Sequence, residues 1–409
     1  MTDKRKYFML ILMLGSLTAL GPFSIDMYLP AFPIIARDLH TTTEQVAVSL
    51  SSFFIGISLG QLLYGPLLDR FGRKKPLYIG LGVYILASLG CVFATHLNDL
   101  IILRGIQAVG SCAAAVASVA MVRDLFPVKD SAKVFALLML VVGVSPMIAP
   151  TVGSYITVLF GWHAIFYILL SLGLLNLISS IFWLPDSYVP DTELSLKPIP
   201  ILKNFLSVIV EPQFYTYALT GAIAFSGLFA YVAGSPVVFM EVFKVSTEMY
   251  GWIFAILSVG LIGSSQVNSF LLKKYSSEQI IFFALACQLI ITIFFLAGAL
   301  NNLFDLTQTI ILLFLFLCCL GFTNPNAAAL SLAPFKKNAG SASALMGAIQ
   351  MGLGAIASSV LSMFAVKSSI PMVAVMCLTS IVAFLMLIIG RKRIVNKVAV
   401  DPDSELVFH

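Results

Sequence analysis

The chain has 409 residues, of which 59% are hydrophobic and 11% are charged, whereas roughly 25% of residues are charged in an average soluble domain. The mean hydropathy of +1.00 excludes a soluble globular protein and predicts a polytopic membrane protein built from apolar runs of about 20 residues. The net charge of +5 does not indicate nucleic-acid binding, because the basic residues lie at alternate ends of these runs.

Twelve apolar runs are long enough to cross a membrane. Their predicted ranges are 7–36, 44–68, 76–94, 98–122, 132–159, 163–184, 212–240, 250–272, 279–300, 307–333, 339–366 and 369–390. The last six spans repeat the first six at an offset of about 205 to 209 residues, which is typical of transporters with duplicated halves. We therefore predict an all-α membrane protein of twelve transmembrane helices, in two pseudo-symmetric six-helix bundles around a central cavity.

The distribution of Lys and Arg predicts the orientation of the chain. Twenty of the 24 basic residues fall on one side of the predicted membrane, three (Arg37, Lys244 and Lys367) fall on the other, and Arg104 lies within a span. The positive-inside rule then places both termini in the cytoplasm. The predicted domains are an N-terminal bundle over 1–185, a proline-rich cytoplasmic linker over 186–211, a C-terminal bundle over 212–391 and a cytoplasmic tail over 392–409.

The first span contains a carboxylate, Asp26, inside the apolar stretch Ser24-Ile25-Asp26-Met27-Tyr28-Leu29-Pro30. An Asp at the centre of a membrane helix costs roughly 2.5–3.5 kcal/mol on insertion scales, so such residues usually face a water-filled cavity and handle ions or protons. We predict that Asp26 carries protons. The alternative is a helix cap at the outer surface, which Pro30 and Pro33 would allow.

A dense cluster of charge lies in the short turn between the second and third spans, Gly65-Pro66-Leu67-Leu68-Asp69-Arg70-Phe71-Gly72-Arg73-Lys74-Lys75. Gly72 can adopt the positive φ that this turn needs, and Asp69 can meet a helix N-terminus or a basic partner across the two halves. The alternative, a positive-inside anchor with a turn glycine, explains the basic residues but leaves Asp69 unexplained.

This turn resembles the loop G-x-L-x-D-R-x-G-R-[KR] of the major facilitator superfamily. In that family the loop is a cytoplasmic latch that stabilises one of two alternating conformations. The resemblance implies this role for eight residues: Gly65, Asp69, Arg70, Gly72, Arg73 and Lys74, with Arg123 and Asp124 at the end of the fourth span.

The fourth span contains a second ionisable residue, Arg104, followed by Gln107. At about 1.5 Å per residue, Arg104 and Asp26 lie at similar depths below the outer surface. We therefore expect the two side chains to share a polar cluster, in which Arg104 acts on the proton of Asp26. The alternative is an Arg that snorkels to the outer surface. The family motif R-x-x-Q-G resembles this stretch and is associated with proton transfer, with Gly110 replacing Ala108 as the close-packing glycine.

The fifth span contains Ser145, Pro146, Ala149, Pro150 and Gly153, which together resemble the G-x-x-x-G-P-x-x-G-G motif of the antiporter branch. Small residues replace three of its glycines, so we expect the fifth and eighth spans still to approach closely. Small residues and prolines occur in many membrane helices, which is the alternative explanation. Across the whole chain the motifs resemble the Bcr/CflA group of twelve-helix drug/proton antiporters.

The second half has no ionisable residue within its predicted spans, so proton coupling is assigned to the first half. Aromatic and amide side chains would instead line a cavity for an uncharged or amphiphilic compound: Tyr28, Gln61, Phe225, Phe229, Tyr231, Asn324 and Gln350. Helix-packing roles are the alternative for each. The six cysteines are predicted to be packing residues, and no role is assigned to the four histidines.

These features predict a monomeric, proton-driven exporter of small organic compounds in the inner membrane of a bacterium, with the lipid bilayer and protons as its other partners. No metal, cofactor or nucleic acid is expected. Alternatives are a dedicated exporter of one metabolite or siderophore, a proton symporter, and a non-transporting membrane protein. An intramembrane enzyme is not expected, because no paired carboxylates, His cluster or Ser/Lys pair occur at one depth.

Overall fold

The computed structural model describes residues 3–126, 128–188, 190–191, 198–335, 339–364, 367–395 and 398. Within these residues, twelve helical segments are long and apolar enough to cross a membrane. The predicted all-α architecture of twelve spans is therefore confirmed.

The first half contains α1 (Asp3–Asp26), α2 (Phe32–Asp38), α3 (Thr43–Phe71), α4 (Lys74–Val92), α5 (Leu97–Leu125), α6 (Val128–Phe160) and α7 (His163–Trp183). A short helix of the linker, α8 (Pro198–Ile209), follows. The second half contains α9 (Pro212–Pro236), α10 (Thr247–Leu271), α11 (Ser277–Leu300), α12 (Leu306–Leu332), α13 (Ala339–Ser362) and α14 (Ile370–Arg391). The first span consists of α1 and α2 together.

Local sequence explains where several helices begin. The Thr42 side chain accepts a hydrogen bond from the Gln45 amide and caps α3. Ser276 and Asp305 form reciprocal capping boxes at the starts of α11 and α12. Each cap pairs an amide that would otherwise lack a partner in the first turn of the helix, so the loops can stay short.

The two halves meet along two pairs of helices, because α3 packs along α13 and α6 packs along α10. Since twelve spans separate Asp3 from Arg391, both residues lie on one side of the bundle, which we call the terminal side. The opposite side, which carries the α2–α3 connection, is the far side.

Hydrogen bonds join the halves from the far side to the middle of the bundle. They link Thr43 to Glu241, Ser51 Oγ to Ser358 Oγ at 2.7 Å, Ser58 Oγ to the Ala348 carbonyl at 2.8 Å, and Thr151 Oγ1 to the Gly251 carbonyl at 3.2 Å. Near the terminal side, a Cβ built on Gly65 or Gly340 would meet no atom within 4 Å. The halves are therefore closed together at the far side.

Glu241 occupies this far-side contact because α9 continues into a π-helical turn, Val237–Val242. The sequence predicts that the seventh span ends at residue 240 and contains no charge. Instead, the turn extends the span and directs the Glu241 carboxylate at Thr43 of the first half and at Lys367, whose Nζ lies 2.8 Å away. The hydrogen bond from Lys367 to Glu241 also raises the pKa of Lys367 above its ordinary value.

Candidate functional site

The first span is broken at Asp26, the residue that the sequence predicts to carry protons. The α-helix α1 ends at Asp26, residues 27–28 form a turn, Leu29–Ala31 form a 3₁₀ turn, and α2 resumes at Phe32. Pro30 explains the position of the break, since it has no N–H to donate to the carbonyl four residues earlier, which belongs to Asp26. Broken helices inside a membrane are tolerated where the freed backbone groups find partners in the protein.

Arg104 of α5 supplies one of these partners. Its Nη2 donates to the Ser24 carbonyl at 2.8 Å, and its Nη1 donates to Gln107 Oε1 at 2.6 Å. The guanidinium is fully buried and lies over the rings of Phe53 and Tyr28 at 4.3 and 4.6 Å. A cation that hydrogen-bonds the last carbonyls of a helix also opposes the negative end of its dipole, so Arg104 caps the broken end of α1.

A chain of hydrogen bonds extends this cap through the first half. Gln107 Nε2 donates to Ser88 Oγ at 2.7 Å. Ser24 Oγ lies 2.8 Å from the Tyr84 hydroxyl and donates to the Leu20 carbonyl. Gln107, which the family motif places one helical turn after Arg104, therefore belongs to this network. The other members are serine and tyrosine groups that carry no distinctive sequence signal.

The expected pairing of Asp26 with Arg104 is wrong. No ion pair joins them in the described part of the chain, and Arg104 is held by Ser24 instead. Depth along a helix does not fix the direction of a side chain, and residues two apart on an α-helix point about 200° apart. Ser24 therefore faces Arg104 inside the first half, whereas Asp26 faces the second half.

Asp26 lies where the two halves meet. Its carboxylate interacts electrostatically with the hydroxyl groups of Tyr231 on α9 and Tyr250 on α10, and Leu29–Ala31 pack against both helices. The residue is 6% exposed, and its carboxylate has no hydrogen-bond or charged partner among the described residues. The carboxylate is therefore buried at the interface without a group that compensates its charge.

The two tyrosines differ in how their hydroxyl groups are satisfied. The Tyr250 hydroxyl lies 2.8 Å from Ser235 Oγ. The Tyr231 hydroxyl is buried without a hydrogen-bond partner in the described residues, and its ring stacks on Phe254 with the centroids 5.5 Å apart. Tyr231 therefore has one free hydrogen-bonding group in the neighbourhood of Asp26.

Aromatic and amide groups line the contact between the halves, but not all of the predicted ones do so. The Phe229 ring meets Phe54 of the first half with a centroid distance of 4.4 Å and also contacts Phe225. Gln61 of α3 lies against Gly347 of α13. Asn324 and Gln350 are partly buried on α12 and α13.

The predicted place of Tyr28 in the substrate cavity is wrong. Tyr28 is fully buried inside the first half, where its hydroxyl lies 3.0 Å from Ser49 Oγ and its ring contacts Phe32 and Phe166. The physical reason is the helix break, because the turn after Asp26 rotates Tyr28 away from the interface and towards Arg104.

The turn between α3 and α4 holds its charges within the first half. Arg73 Nη1 donates to Asp69 Oδ1 at 2.6 Å, and Arg73 Nε donates to Asp124 Oδ2 at 2.8 Å. Burial of the Arg73 guanidinium opposes its charge, but the two carboxylates outweigh burial and raise the pKa of Arg73 above its ordinary value. Among the described residues Asp69 makes no contact with the second half, and its partner is Arg73, which follows the turn at Gly72.

The start of the linker also docks on this turn. Gly72 has φ +80°, and Pro190 packs against it. The Asp191 amide donates to the Asp69 carbonyl at 3.0 Å, and the Tyr188 ring lies 3.9 Å from the Arg73 guanidinium. Three further contacts hold the linker: Lys74 Nζ lies 3.1 Å from Asp186, Ser187 Oγ donates to Asp124 at 3.2 Å, and Arg70 donates to the Asp191 carbonyl at 3.5 Å. Within the first half, Arg123 interacts electrostatically with Asp124.

The small residues of α6 pack against the helix break and against α10. A Cβ on Gly153 would lie 2.2 Å from the Met27 carbonyl oxygen, so only glycine allows this approach. On the neighbouring face, Pro150 and Thr151 lie against Gly251 of α10. Ala149 is fully buried, and Ser145 Oγ donates to the carbonyl one turn before it. Pro146 and Pro150 lie inside α6.

Comparison with known proteins agrees with this architecture. A family model described as Major Facilitator Superfamily matches residues 14–359. The chain belongs to the major facilitator superfamily. It is a multi-pass membrane transporter and not an enzyme.

Relatives and a solved structure extend the comparison. The chain is 33% identical to a bicyclomycin resistance protein homolog of Haemophilus influenzae, over 92% of this chain and 94% of that protein. It is 27% identical to the multidrug resistance protein MdtL of Klebsiella pneumoniae, over 82% and 84% of the two chains. The crystal structure of a D-xylose-proton symporter has the same fold, with a TM-score of 0.71 at 14% identity over 93% and 97% of the chains. The predicted membership of the superfamily is confirmed.

We predict that Arg104→Lys destabilises the transporter, whereas Gln107→Glu does not. A lysine cannot donate to both the Ser24 carbonyl and Gln107, so one buried group loses its partner at a cost of about 1–3 kcal/mol. A glutamate at position 107 cannot donate to Ser88 Oγ, but the Ser88 hydroxyl can donate to the carboxylate instead, and the carboxylate would give the buried cation a counter-charge. Thermal unfolding in detergent micelles measures both, and equal midpoints for Arg104→Lys and the native protein would contradict the capping role.

We also predict that Gly153→Ala destabilises the transporter more than Gly143→Ala. Both glycines lie on α6, but a Cβ on Gly143 would meet its nearest atoms on Ile262 at 3.7 Å, which is ordinary contact. The alanine at position 153 would push against the Met27 backbone, and overpacking of this kind typically costs about 1–3 kcal/mol. Chemical denaturation of the two variants side by side makes the comparison. If both alanines were tolerated equally, the close packing of α6 on the break would be disproved.

Proposed function

We propose that this transporter exports small, drug-like organic compounds across the bacterial inner membrane in exchange for protons, by alternating access of its two halves. The single observation that supports proton coupling is the position of Asp26. Its carboxylate lies buried at the meeting surface of the halves and has no partner among the described residues. Uptake of a proton removes an uncompensated charge from this surface.

The proposed direction of transport rests on the charge distribution. Because the Lys and Arg residues are concentrated on the terminal side, that side faces the cytoplasm and the far side faces outwards. A proton entering from outside would reach Asp26 when the far side opens. The membrane potential contributes about 2.3 kcal/mol per charge per 100 mV to its inward movement.

The proposed substrate class follows from the groups between the halves. Phe54, Phe225 and Phe229 form an aromatic contact across the interface, and Gln61 offers an amide beside it. Apolar surface with a few polar groups suits uncharged or amphiphilic organic compounds. The names of the bicyclomycin resistance homolog and of MdtL support drug-like compounds as the substrates.

In the proposed cycle, loading of Asp26 with a proton and release of the compound alternate at one interface. A neutral Asp26 can remain against Tyr231 and Tyr250 while the halves close at the far side. Loss of the proton restores a charge that is best solvated when the interface opens. Rocking of the halves then exposes the site to each side in turn.

The test uses purified protein in vesicles with a pH-sensitive dye inside and a panel of bicyclomycin, chloramphenicol and ethidium. We expect the panel compounds to drive proton movement with the native protein, and Asp26→Asn to abolish it while the variant stays folded. The matched control is Asp99→Asn, since Asp99 is an exposed carboxylate at the start of α5 and its loss should leave transport unchanged.

The panel of compounds also distinguishes proton-coupled drug export from the alternative functions. Proton-coupled movement of a single compound would indicate a dedicated exporter. Normal proton movement with Asp26→Asn would remove Asp26 from the mechanism. Movement of compounds without protons in the native protein would overturn the coupling itself.

A further inference from the structure

The linker helix α8 has two apolar faces, although it lies outside the membrane-spanning segments. One face packs on the second half, where Val208 is fully buried in a cluster with Phe214 and Ala342. The opposite face carries Ile199, Leu202 and Leu206, and Val210, the residue that follows the helix, continues this face. Their spacing of three or four residues places them on one stripe that points away from the protein.

The stripe is exposed along its whole length. The exposed fractions of Ile199, Leu202, Leu206 and Val210 are 67%, 58%, 51% and 67%. Exposure of apolar side chains to water is unfavourable in proportion to their area, so these four neighbouring side chains would form a costly apolar patch in water. A contiguous exposed apolar face of this kind is typical of a surface that contacts a partner or a membrane.

The contacts of α8 show its position along the membrane normal, relative to the ends of the membrane helices. Asn204 Nδ2 donates to Ser341 Oγ at 2.8 Å, and Ser341 lies at the start of α13. Phe214 lies in the first turn of α9. Both partners therefore lie at the terminal-side ends of membrane helices, and so does the exposed Trp183 that ends α7 just before the linker. Trp at a helix end is typical of the membrane–water interface, so α8 lies at the level of that interface.

We propose that α8 is an interfacial helix that inserts its outer face, Ile199, Leu202, Leu206 and Val210, among the lipids of the terminal-side leaflet. Lys203 is exposed beside this stripe and can reach lipid phosphates. Amphipathic helices with an apolar face and flanking basic residues lie in the interface plane with the apolar face among the acyl chains. The apolar faces on both sides of α8 then have partners, which are the second half and the bilayer.

A bilayer fits this surface better than a protein partner does. The stripe runs along a single short helix, about 16 Å from Ile199 to Val210, whereas a stable protein interface buries about 1,200–2,000 Å² in total. The terminal side also carries exposed Lys273, Lys274 and Lys392 beyond the helix ends. This basic surface complements the phosphates of anionic lipids.

The two ends of the linker bind different halves of the protein. Residues 186–188 and 190–191 bind the first half through Lys74, Asp69 and Gly72. The helix α8 binds the second half through Asn204 and Val208. The proposed lipid contact therefore belongs to the second half, and it holds whether or not the protein exchanges drugs for protons.

The test places a nitroxide label at position 206 of the full chain, with the six native cysteines replaced, in vesicles of phosphatidylethanolamine and phosphatidylglycerol. Collisions of the label with oxygen report lipid, and collisions with a water-soluble nickel chelate report water. Leu385→Cys on the exposed face of α14 is the lipid control, and Ser276→Cys in the α10–α11 loop is the water control.

We expect the ratio of oxygen collisions to nickel collisions to be several-fold higher for the label on Leu206→Cys than for the label on Ser276→Cys. The ratio for Leu206→Cys should approach that for Leu385→Cys. A label at position 206 that is as accessible to nickel as the one at position 276 would overturn the proposal. Exclusion of both reagents would also overturn it, because it would show that protein covers the stripe. A label on Ser207→Cys, at the edge of the stripe, should give an intermediate value.

Discussion

The hydrogen bond from the Arg104 guanidinium to the Ser24 carbonyl is the interaction on which the site depends. A helix that ends in the middle of a membrane leaves carbonyl groups without donors. Arg104 supplies both a donor and a positive charge at that end, while Gln107 and the rings of Phe53 and Tyr28 surround the cation. Because the broken end is stabilised from within the first half, the chain can turn immediately after Asp26.

Because the chain turns after Asp26, residues on the two sides of the turn can face different parts of the molecule. The face of α1 that carries Ser24 belongs to the interior of the first half, and Asp26 is left at the surface that meets α9 and α10. Gly153 makes the arrangement possible from the other side, since α6 approaches the Met27 carbonyl too closely for any side chain. The first half therefore presents the Asp26 carboxylate to the second half.

The polar contacts at the far side differ from those at the terminal side. At the far side Glu241, placed by a π-helical turn, reaches across to Thr43, so this contact must break if the far side opens. At the terminal side the charges of the α3–α4 turn are paired within the first half and with the linker, and Asp69 remains 49% exposed. This half-exposed carboxylate is available for a partner in a conformation closed at the terminal side.

The sequence predicts the twelve spans and the duplicated halves, because hydropathy and repeat length can be read directly from the order of the residues. The direction of Asp26 relative to Arg104 is not local. The sequence places the two residues at similar depths, but the break at Pro30 and the packing of α6 on it determine which way each side chain points. The same break explains the burial of Tyr28. Glu241 and α8 were missed for another reason, since a π-helical turn and a short helix in a proline-rich linker leave no long periodic signal.

The measurement that tests the account most directly is an infrared titration of the purified transporter in lipid, comparing the native protein with Asp26→Asn. A buried carboxyl group that gains and loses a proton gives a carbonyl stretching band that appears and disappears with pH. The account predicts such a band in the native protein and its loss in the Asp26→Asn variant. A titrating band that survives this substitution unchanged would contradict the claim that Asp26 carries the proton.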